Sequence, residues 1–316
     1  MLRMSRYYST RSTARTSMTA AIIVNPVSGR DGSRAETGER RRALAASAAA
    51  SAGVDADIVL TERPGHAIAL AREFAARGAD VVIAWGGDGT ANEVAGALIG
   101  TRTALGIVPD GSGNGLARGL GLPLDAERAL RQALGGPTSR IDVGYLGARH
   151  FLNIAGIGFD ATVAAAIDRR PVRGALAYFL LGARLVWSYR PASYRVELPE
   201  GVQEGPHFLV AFANGREYGN AATLAPDADP ADGWLEIVAV TGGSAGQQIW
   251  RARRLVMGHR RPAHGVFRGR AQAARVSGKT LVCHVDGEAF ETSGSLDVRI
   301  EPGALLVRGS AQRSPH

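Results

Sequence analysis

From Ala20 to Pro26 the chain reads AAIIVNP, a continuous apolar run cut off by Asn-Pro. That is the pattern of a strand buried on both faces and followed by a loop. Arg34 to Ala52 is rich in Ala, Arg and Glu and predicts a helix. DADIVLT supplies a second strand, and HAIALAREFAARG an amphipathic helix closed by Gly78. The theme returns in ADVVIAWGGDGT followed by ANEVAGALIG, and again in ALGIVPDGSGNGLARGLG: strand, glycine turn, helix. Strands alternating with helices at this spacing predict parallel βαβ units with right-handed crossovers.

Near Arg140 the period changes. RIDVGYL, HFLNIAGIGF, YRVELP, HFLVAFANG, WLEIVAVTG, RVSGKTLVCHVDGEAF and LDVRIEPGALLVRG are short alternating runs separated by turn residues, as in an antiparallel β domain. Two helical inserts interrupt them, roughly Ala161 to Trp187 and Ser244 to Met257. The expected organisation is a tail at 1–17, an α/β domain at 18–140, a β-rich domain at 141–308 and a tail at 309–316. The final strands are the ones that could pack back on the first domain.

Length agrees with two domains, since 316 residues at 45% hydrophobic content can build two cores. The net charge of +8 points to an anionic partner, but Lys279 is the only lysine, so the excess is arginine and reads equally as composition bias. The basic residues are spread out and form no nucleic-acid-binding motif. A single cysteine, Cys283, excludes an internal disulfide framework and sits in the alternation TLVCHVDG as a buried strand residue, which fits a reducing, cytoplasmic setting. Residues 1–17 superficially match a transit peptide, yet the better reading is a disordered tail or overextended start ahead of Met18. The longest apolar block, Gly174 to Trp187, is broken by Arg184 and too short to span a bilayer. None of the seven histidines has metal-cluster spacing.

In an open parallel sheet, ligands collect at the carboxyl ends of the strands. Three turn-rich loops fall there: Asn25–Arg30, Gly86–Asn92 and Asp110–Asn114. Glycine lets backbone amides approach an oxygen closely, so a phosphate can be held without a lysine. The loops exclude the GxxxxGK[ST] phosphate loop, and the GxGxxG pattern is absent at the first strand. One such loop reads as an ordinary strand end; three in register read as a binding edge. Asp88 has two readings, a helix N-cap for the amides of Thr90 and Ala91, or a holder of Mg²⁺ against phosphate.

NPVSG, GGDGT-N and the GSGN loop with its LAR together resemble the catalytic domain of the diacylglycerol kinase and lipid kinase family, which includes sphingosine and ceramide kinases. FLNIAGIGFDA, GALAYFLLGARLVW, PDADPADGWLEIV and HVDGEAF resemble that family's C-terminal half in the same order, so the likeness spans Met18 to Arg308. It implies an α/β nucleotide domain with a parallel sheet, like NAD kinases and 6-phosphofructokinases, and a mainly antiparallel β-sandwich. By that likeness ATP contacts Asn25, Pro26, Val27, Ser28, Gly29, Thr61, Gly86, Gly87, Asp88, Gly89, Thr90, Ala91, Asn92 and Ser112. Glu288 becomes the general base toward a lipid hydroxyl, with Asp286 and Asp88 supporting it. Alone, Asp286-Gly287 reads as a plain hairpin turn; beside the upstream loops the functional reading is favoured. Asp232, with the backbone carbonyls of Asp229 and Trp234, matches a structural Mg²⁺ site, and Asp142 a position that joins Asp88 around catalytic Mg²⁺. Gly115 stands where many diacylglycerol kinases carry an acidic residue, which weakens a diacylglycerol assignment.

The expected function is therefore an ATP- and Mg²⁺-dependent kinase of a diacylglycerol, sphingoid or ceramide-like lipid, cytoplasmic and transiently at the inner membrane face. The stripe Tyr178, Phe179, Leu180, Leu181, Leu185 and Trp187 beside Arg184 and Arg190 reads both as a core helix and as an interfacial one. Exposed strand edges offer a surface for a homodimer. The alternatives are an NAD kinase-like enzyme, against which the GSGN loop argues, and a non-catalytic nucleotide- or lipid-sensing module. Intact Asp88, Asp232 and Glu288 count against the latter.

Overall fold

The computed structural model describes residues 18–29, 34–168, 181–216, 223–257 and 263–310. The expectations for residues 1–17, for the Gly174–Leu180 part of the apolar helix and for residues 311–316 lie outside these residues.

The N-terminal half is built from β1 (Thr19–Val24), α1 (Arg34–Ala52), β2 (Asp55–Leu60), α2 (His66–Ala76), β3 (Val81–Gly86), α3 (Asp88–Leu98) and β4 (Ala104–Pro109). The four strands pair in parallel in the order β4-β3-β1-β2. Every residue of β3 and β4 is buried, because helices cover both faces of the sheet. Ala21, Ile23, Val82 and Ala84 face α2 and α3, while Ile22, Val24, Ile83 and Trp85 face α1 and α5 (Ala126–Gly135). The alternation follows from the period-two geometry of a strand. The chain leaves β1 toward β2 on one side and returns to β3 on the other, so the order reverses between β1 and β3. The carboxyl ends of those two strands form the crevice that such a reversal opens.

After α4 (Gly115–Gly119) and α5, the chain enters β5 (Thr138–Leu146), β6 (Arg149–Phe151) and β7 (Ile154–Gly158), then α6 (Phe159–Asp168). The remaining strands are β8 (Ala192–Leu198), β9 (Gly201–Ala213), β10 (Leu235–Thr241), β11 (Val266–Ala271), β12 (Ala273–Val285) and β13 (Glu288–Arg308), with α7 (Ala245–Val256) between β10 and β11. Pairing among β7 to β12 is antiparallel. β7 and β8 each pair with both β9 and β12, at opposite ends of those long strands. The enclosed core holds Phe151, Ile157, Val196, Val210, Phe212, Leu281 and Cys283. Burial pushes the Cys283 thiol up to about 12, so it is a packed strand residue.

β13 joins the halves. Its first part pairs with β12 from Val285↔Glu288 to Ala273↔Arg299, its second with β5 from Val298↔Leu146 to Arg308↔Thr138, and Val307 pairs in parallel with Leu105 of β4. Leu305 and Val307, both fully buried, belong to the N-terminal core, whereas Val298 and Ile300 belong to the C-terminal one. Leu305→Ala is therefore expected to cost about 2–5 kcal/mol. Urea unfolding followed by far-UV circular dichroism and by tryptophan fluorescence should give one coincident transition at a lowered midpoint.

Candidate active site

The loops after the parallel strands are locked to one another by backbone bonds. Asn25 N–H donates to Trp85 O (2.9 Å), Thr61 N–H to Val24 O (2.8 Å) and Asp110 N–H to Gly86 O (2.8 Å). Across the crevice Asn25 Nδ2 donates to Thr90 Oγ1 at 3.0 Å, and Val27 N–H donates to Asn25 Oδ1 at 3.0 Å. Pro26, Thr61, Gly86, Thr90, Ala91 and Asn92 are buried in this edge, while Val27, Gly29, Gly89 and Ser112 are exposed on it. Gly86 and Gly111 have no room for a side chain: a Cβ on Gly86 would meet Thr90 Oγ1 at 2.6 Å, and one on Gly111 would meet Gly87 Cα at 2.7 Å. Here glycine permits two loop backbones to touch, the close approach that amide recognition of an oxyanion requires.

Sequence reasoning missed the residue that fastens this edge. Arg41 of α1 donates from Nη1 to Asn25 O (2.6 Å) and Ser28 Oγ (2.9 Å) and from Nη2 to Ser28 O (2.8 Å), and it pairs with Asp110. Within the run Arg40–Arg42 nothing marks the middle arginine, because only the direction it takes off the helix matters.

Asp88 does not cap its own helix. Gly87 is the N-cap, without a side-chain bond, and Ala91 N–H donates to Gly87 O at 3.1 Å. The Asp88 carboxylate reaches instead to the neighbouring loop, where Oδ1 accepts from Leu116 N–H (3.3 Å) at the start of α4. A Cβ on Gly113 would lie 3.2 Å from Oδ2, so that glycine leaves space beside the carboxylate.

Asp286 and Gly287 form the two-residue loop between β12 and β13, at φ 46° and 92°. Positive φ at both positions is the type I′ hairpin geometry for which Asp-Gly is suited. Asp286 does more than turn. Its Oδ2 accepts from Leu152 N–H (2.7 Å) and its Oδ1 from Asn153 N–H (3.0 Å) and Ile154 N–H (2.9 Å), while Asp286 N–H donates to Ile154 O (2.9 Å). Burial raises this carboxyl above its usual range, and the three amides pull it back down. Glu288 begins β13 directly after the turn and is exposed.

The Asp88 loop and this hairpin face one cavity of about 120 Å³, lined by Asp88, Asn92, Leu116, Asn153, His284 and Asp286 among others. Asn92 Oδ1 is buried there without a protein partner. One carboxylate with space beside it and an unpartnered amide oxygen are a donor set that suits Mg²⁺, which keeps most of its waters. A second, larger cavity of about 560 Å³ lies beyond α6. Its wall is almost wholly apolar, with Phe159, Val163, Val186, Phe208, Leu209 and Leu255.

Asp142 is placed elsewhere than expected. Its carboxylate, 2% exposed, accepts from Gly233 N–H and Gly303 N–H, both at 2.7 Å, and its own N–H donates to Pro230 O. Burial, then the nearby Asp232 and Asp229, raise this carboxyl above its usual range despite the two amides. Asp142 thus belongs with the Asp229–Trp234 loop and not with Asp88. In that loop Asp229 Oδ1 accepts from Ala231 N–H (3.1 Å) and Asp232 Oδ1 from Trp234 N–H (3.0 Å), while Asp232 Oδ2 pairs with Arg270. Arg270 and the Trp234 amide thus already engage both oxygens of the Asp232 carboxylate, which a Mg²⁺ held there with the Asp229 and Trp234 carbonyls would have to share. Among the described residues no group of three or more His, Cys, Asp or Glu is poised to hold a metal.

Residues 19–146 match the family model described as the diacylglycerol kinase catalytic domain, and residues 153–309 that of the YegS C-terminal NAD kinase beta sandwich-like domain. Over 275 residues the chain is 30% identical to a diacylglycerol kinase of Bacillus subtilis, covering 85% of this chain and 89% of that protein. It is 33% identical over 283 residues to a Pseudomonas aeruginosa protein named probable lipid kinase YegS-like, covering 87% and 91%. A Chromohalobacter salexigens protein of the same name is 42% identical over 195 residues, a match that spans 60% of this chain and 63% of that protein. A solved structure of a diacylglycerol kinase from Bacillus anthracis str. Sterne has the same fold, with TM-score 0.71 at 21% identity over 92% of this chain and 96% of that one.

Asp286→Asn would turn an NH₂ group toward backbone donors and leave at least one of three amides unpaired. The expected loss is about 1–3 kcal/mol of stability. It should appear as a lower urea midpoint at unchanged m-value, and an unchanged midpoint would contradict the role of the three amides.

Proposed function

We propose a mechanism from one premise: the chain belongs to the diacylglycerol kinase catalytic-domain family and is a lipid kinase. In this reading ATP seats its phosphates on the amides of Asn25–Gly29 and Gly86–Asn92, with Thr61 and Ser112 at the margins, and directs its γ-phosphate into the cavity beside Asp88. The observation that carries the reading is that cavity, whose lining brings Asp88 from the N-terminal half and the Asp286-Gly287 turn from the C-terminal half together.

The acceptor lipid lays its apolar part in the 560 Å³ cavity behind α6 and presents its hydroxyl to the smaller one. An apolar wall with a few polar groups at one end is the general form of a site for such a ligand. Glu288 takes the proton of the hydroxyl as its oxygen bonds to the γ-phosphorus. The bond from that phosphorus to the β–γ bridging oxygen breaks, and ADP leaves. Asp88 and Asn92 would hold Mg²⁺, which supplies neutralisation of the phosphate charge when bound. Asp286 positions the turn, since its oxygens already accept three amide bonds.

Support for a membrane-delivered lipid comes from the rim of the larger cavity. Trp187 (72% exposed), Ile249 and Met257 stand at it with Arg253, and Arg254 stacks on the exposed Trp250 of α7 at 5.1 Å. Aromatic and aliphatic groups beside arginines suit the headgroup region of an anionic bilayer. Among the described residues no helix is long and apolar enough to cross one.

Two substitutions separate the roles. Glu288→Gln should lower kcat for lipid phosphorylation by about 10²- to 10⁴-fold with the fold intact by circular dichroism; turnover at the unsubstituted rate would remove Glu288 as the base. Asp88→Asn should raise the Mg²⁺ concentration needed for half-maximal rate, which Glu288→Gln should leave in place. Equal Mg²⁺ requirements in both variants would take the cation away from Asp88.

A further inference from the structure

Between the two cavities stands a buried polar pair that phosphoryl transfer as described does not use. His284 lines the catalytic cavity and Asp160 the apolar one. They are joined Nε2 to Oδ2 at 3.2 Å, with side chains 4% and 3% exposed. Asp160 Oδ1 accepts from Ala161 N–H at 2.8 Å. On its other side His284 Nδ1 accepts from Gly287 N–H at 3.3 Å. An accepting Nδ1 carries no proton, so the ring's N–H is on Nε2 and is donated to Asp160. A continuous chain of hydrogen bonds therefore runs from the second residue of α6 to the turn ahead of Glu288.

Two facts say that this chain exceeds what the turn needs. An Asp-Gly type I′ hairpin closes by its own backbone preferences, and Asp286 already fastens it to Leu152, Asn153 and Ile154. Burying His284 and Asp160 carries a desolvation cost that an apolar pair of the same size would avoid. The neighbouring strand also makes room for the pair. A Cβ on Gly156 of β7 would collide with both Asp160 Oδ2 and His284 Nε2. A strand position without a side chain weakens the sheet, and glycine there marks a close approach of other groups.

We infer that Asp160 and His284 are positioning residues for phosphoryl transfer, holding the Gly287 amide from the lipid side while Asp286 holds the turn from the other. The inference rests on the lipid-kinase reading with Glu288 as base. It assigns the pair no contact with the reacting atoms. Its effect is to fix the backbone from which Glu288 starts, and a displacement of about 1 Å at such a point costs on the order of 10²-fold in rate. Asp160 also faces the cavity assigned to the lipid, so the pair lies where a seated lipid and the catalytic turn adjoin.

The test compares variants that keep one bond and lose the other. His284→Gln places an amide near the former Nε2 and loses the acceptor for Gly287; Asp160→Ala removes the far anchor; His284→Asn keeps an oxygen near the former Nδ1. Two quantities are read, hydrogen exchange at the Gly287 amide by NMR and kinetics with [γ-³²P]ATP and dioctanoylglycerol in mixed micelles. In His284→Gln exchange at Gly287 should speed up about tenfold, as for one lost hydrogen bond, and in Asp160→Ala, which keeps that bond but loses its anchor, by less; kcat should fall in both, on the order of 10²-fold in His284→Gln, with KM for ATP unchanged. His284→Asn, which like Asp160→Ala keeps an acceptor for Gly287 and loses the link to Asp160, should match Asp160→Ala in both quantities and keep slower Gly287 exchange than His284→Gln. A kcat that stays put while Gly287 exchange accelerates overturns the inference, as does exchange that ignores both variants. Loss of thermal stability in all three with kcat unmoved marks a merely structural pair and overturns it too. If the unsubstituted chain labels no lipid, neither dioctanoylglycerol nor a sphingoid base, the lipid reading fails and the catalytic half of the inference falls with it. The exchange pattern would then still decide whether the pair holds the turn.

Discussion

The structure depends on one long strand. β13 starts at the Asp286-Gly287 turn, closes the antiparallel core against β12, continues along β5 and ends beside β4 of the parallel sheet. Register is the constraint: a slip of one residue would turn Leu305 and Val307 out of the N-terminal core and reverse every side chain of the strand. Because Glu288 opens the same strand, the hairpin cannot shift along it without breaking pairing at Val307↔Leu105. Two halves of the chain thereby meet at a cavity only about 120 Å³ in volume.

Within that frame the proposed nucleotide edge is assembled from backbone. Short contacts such as Gly87 against Gly111 and the bond from Asn25 to Thr90 set the loops at one height, and Arg41 clasps the first loop to Asp110. Charge is then sparse and local. Asp88 leans on the start of α4 instead of its own helix, while Asp286 is consumed by three amides, which leaves Asp88 as the carboxylate suited to a cation. In the proposed mechanism the exposed Glu288 beside the amide-held Asp286 separates proton removal from positioning.

Much of this was legible in the order of residues. The runs of β1, β3 and β4 announce strands covered on both faces, and glycines after each mark the edge where loops gather, since periodicity and turn chemistry are local properties. Cys283 read correctly as a strand residue because TLVCHVDG alternates. What stayed hidden is what long-range packing decides. Asp142 sits in RIDVG with nothing to show that its carboxylate turns to Gly233 and Gly303, 91 and 161 residues on. Arg270, which occupies Asp232, and Arg41, which fastens Asn25 and Ser28, are two arginines among many. His284 and Asp160 lie 124 residues apart, and their pairing needs a bare Gly156 that looks like any other strand glycine.

In the proposed function a nucleotide edge and an apolar cavity work on one acceptor hydroxyl. The most direct measurement incubates the purified chain with [γ-³²P]ATP, Mg²⁺ and, separately, dispersed diacylglycerol, sphingoid base, ceramide, glycerophospholipid, polyprenol or NAD, and partitions the products between chloroform–methanol and water. Label is expected in the organic phase with at least one lipid, and none is expected on NAD. Label confined to NAD, with every lipid left unphosphorylated, would contradict that function.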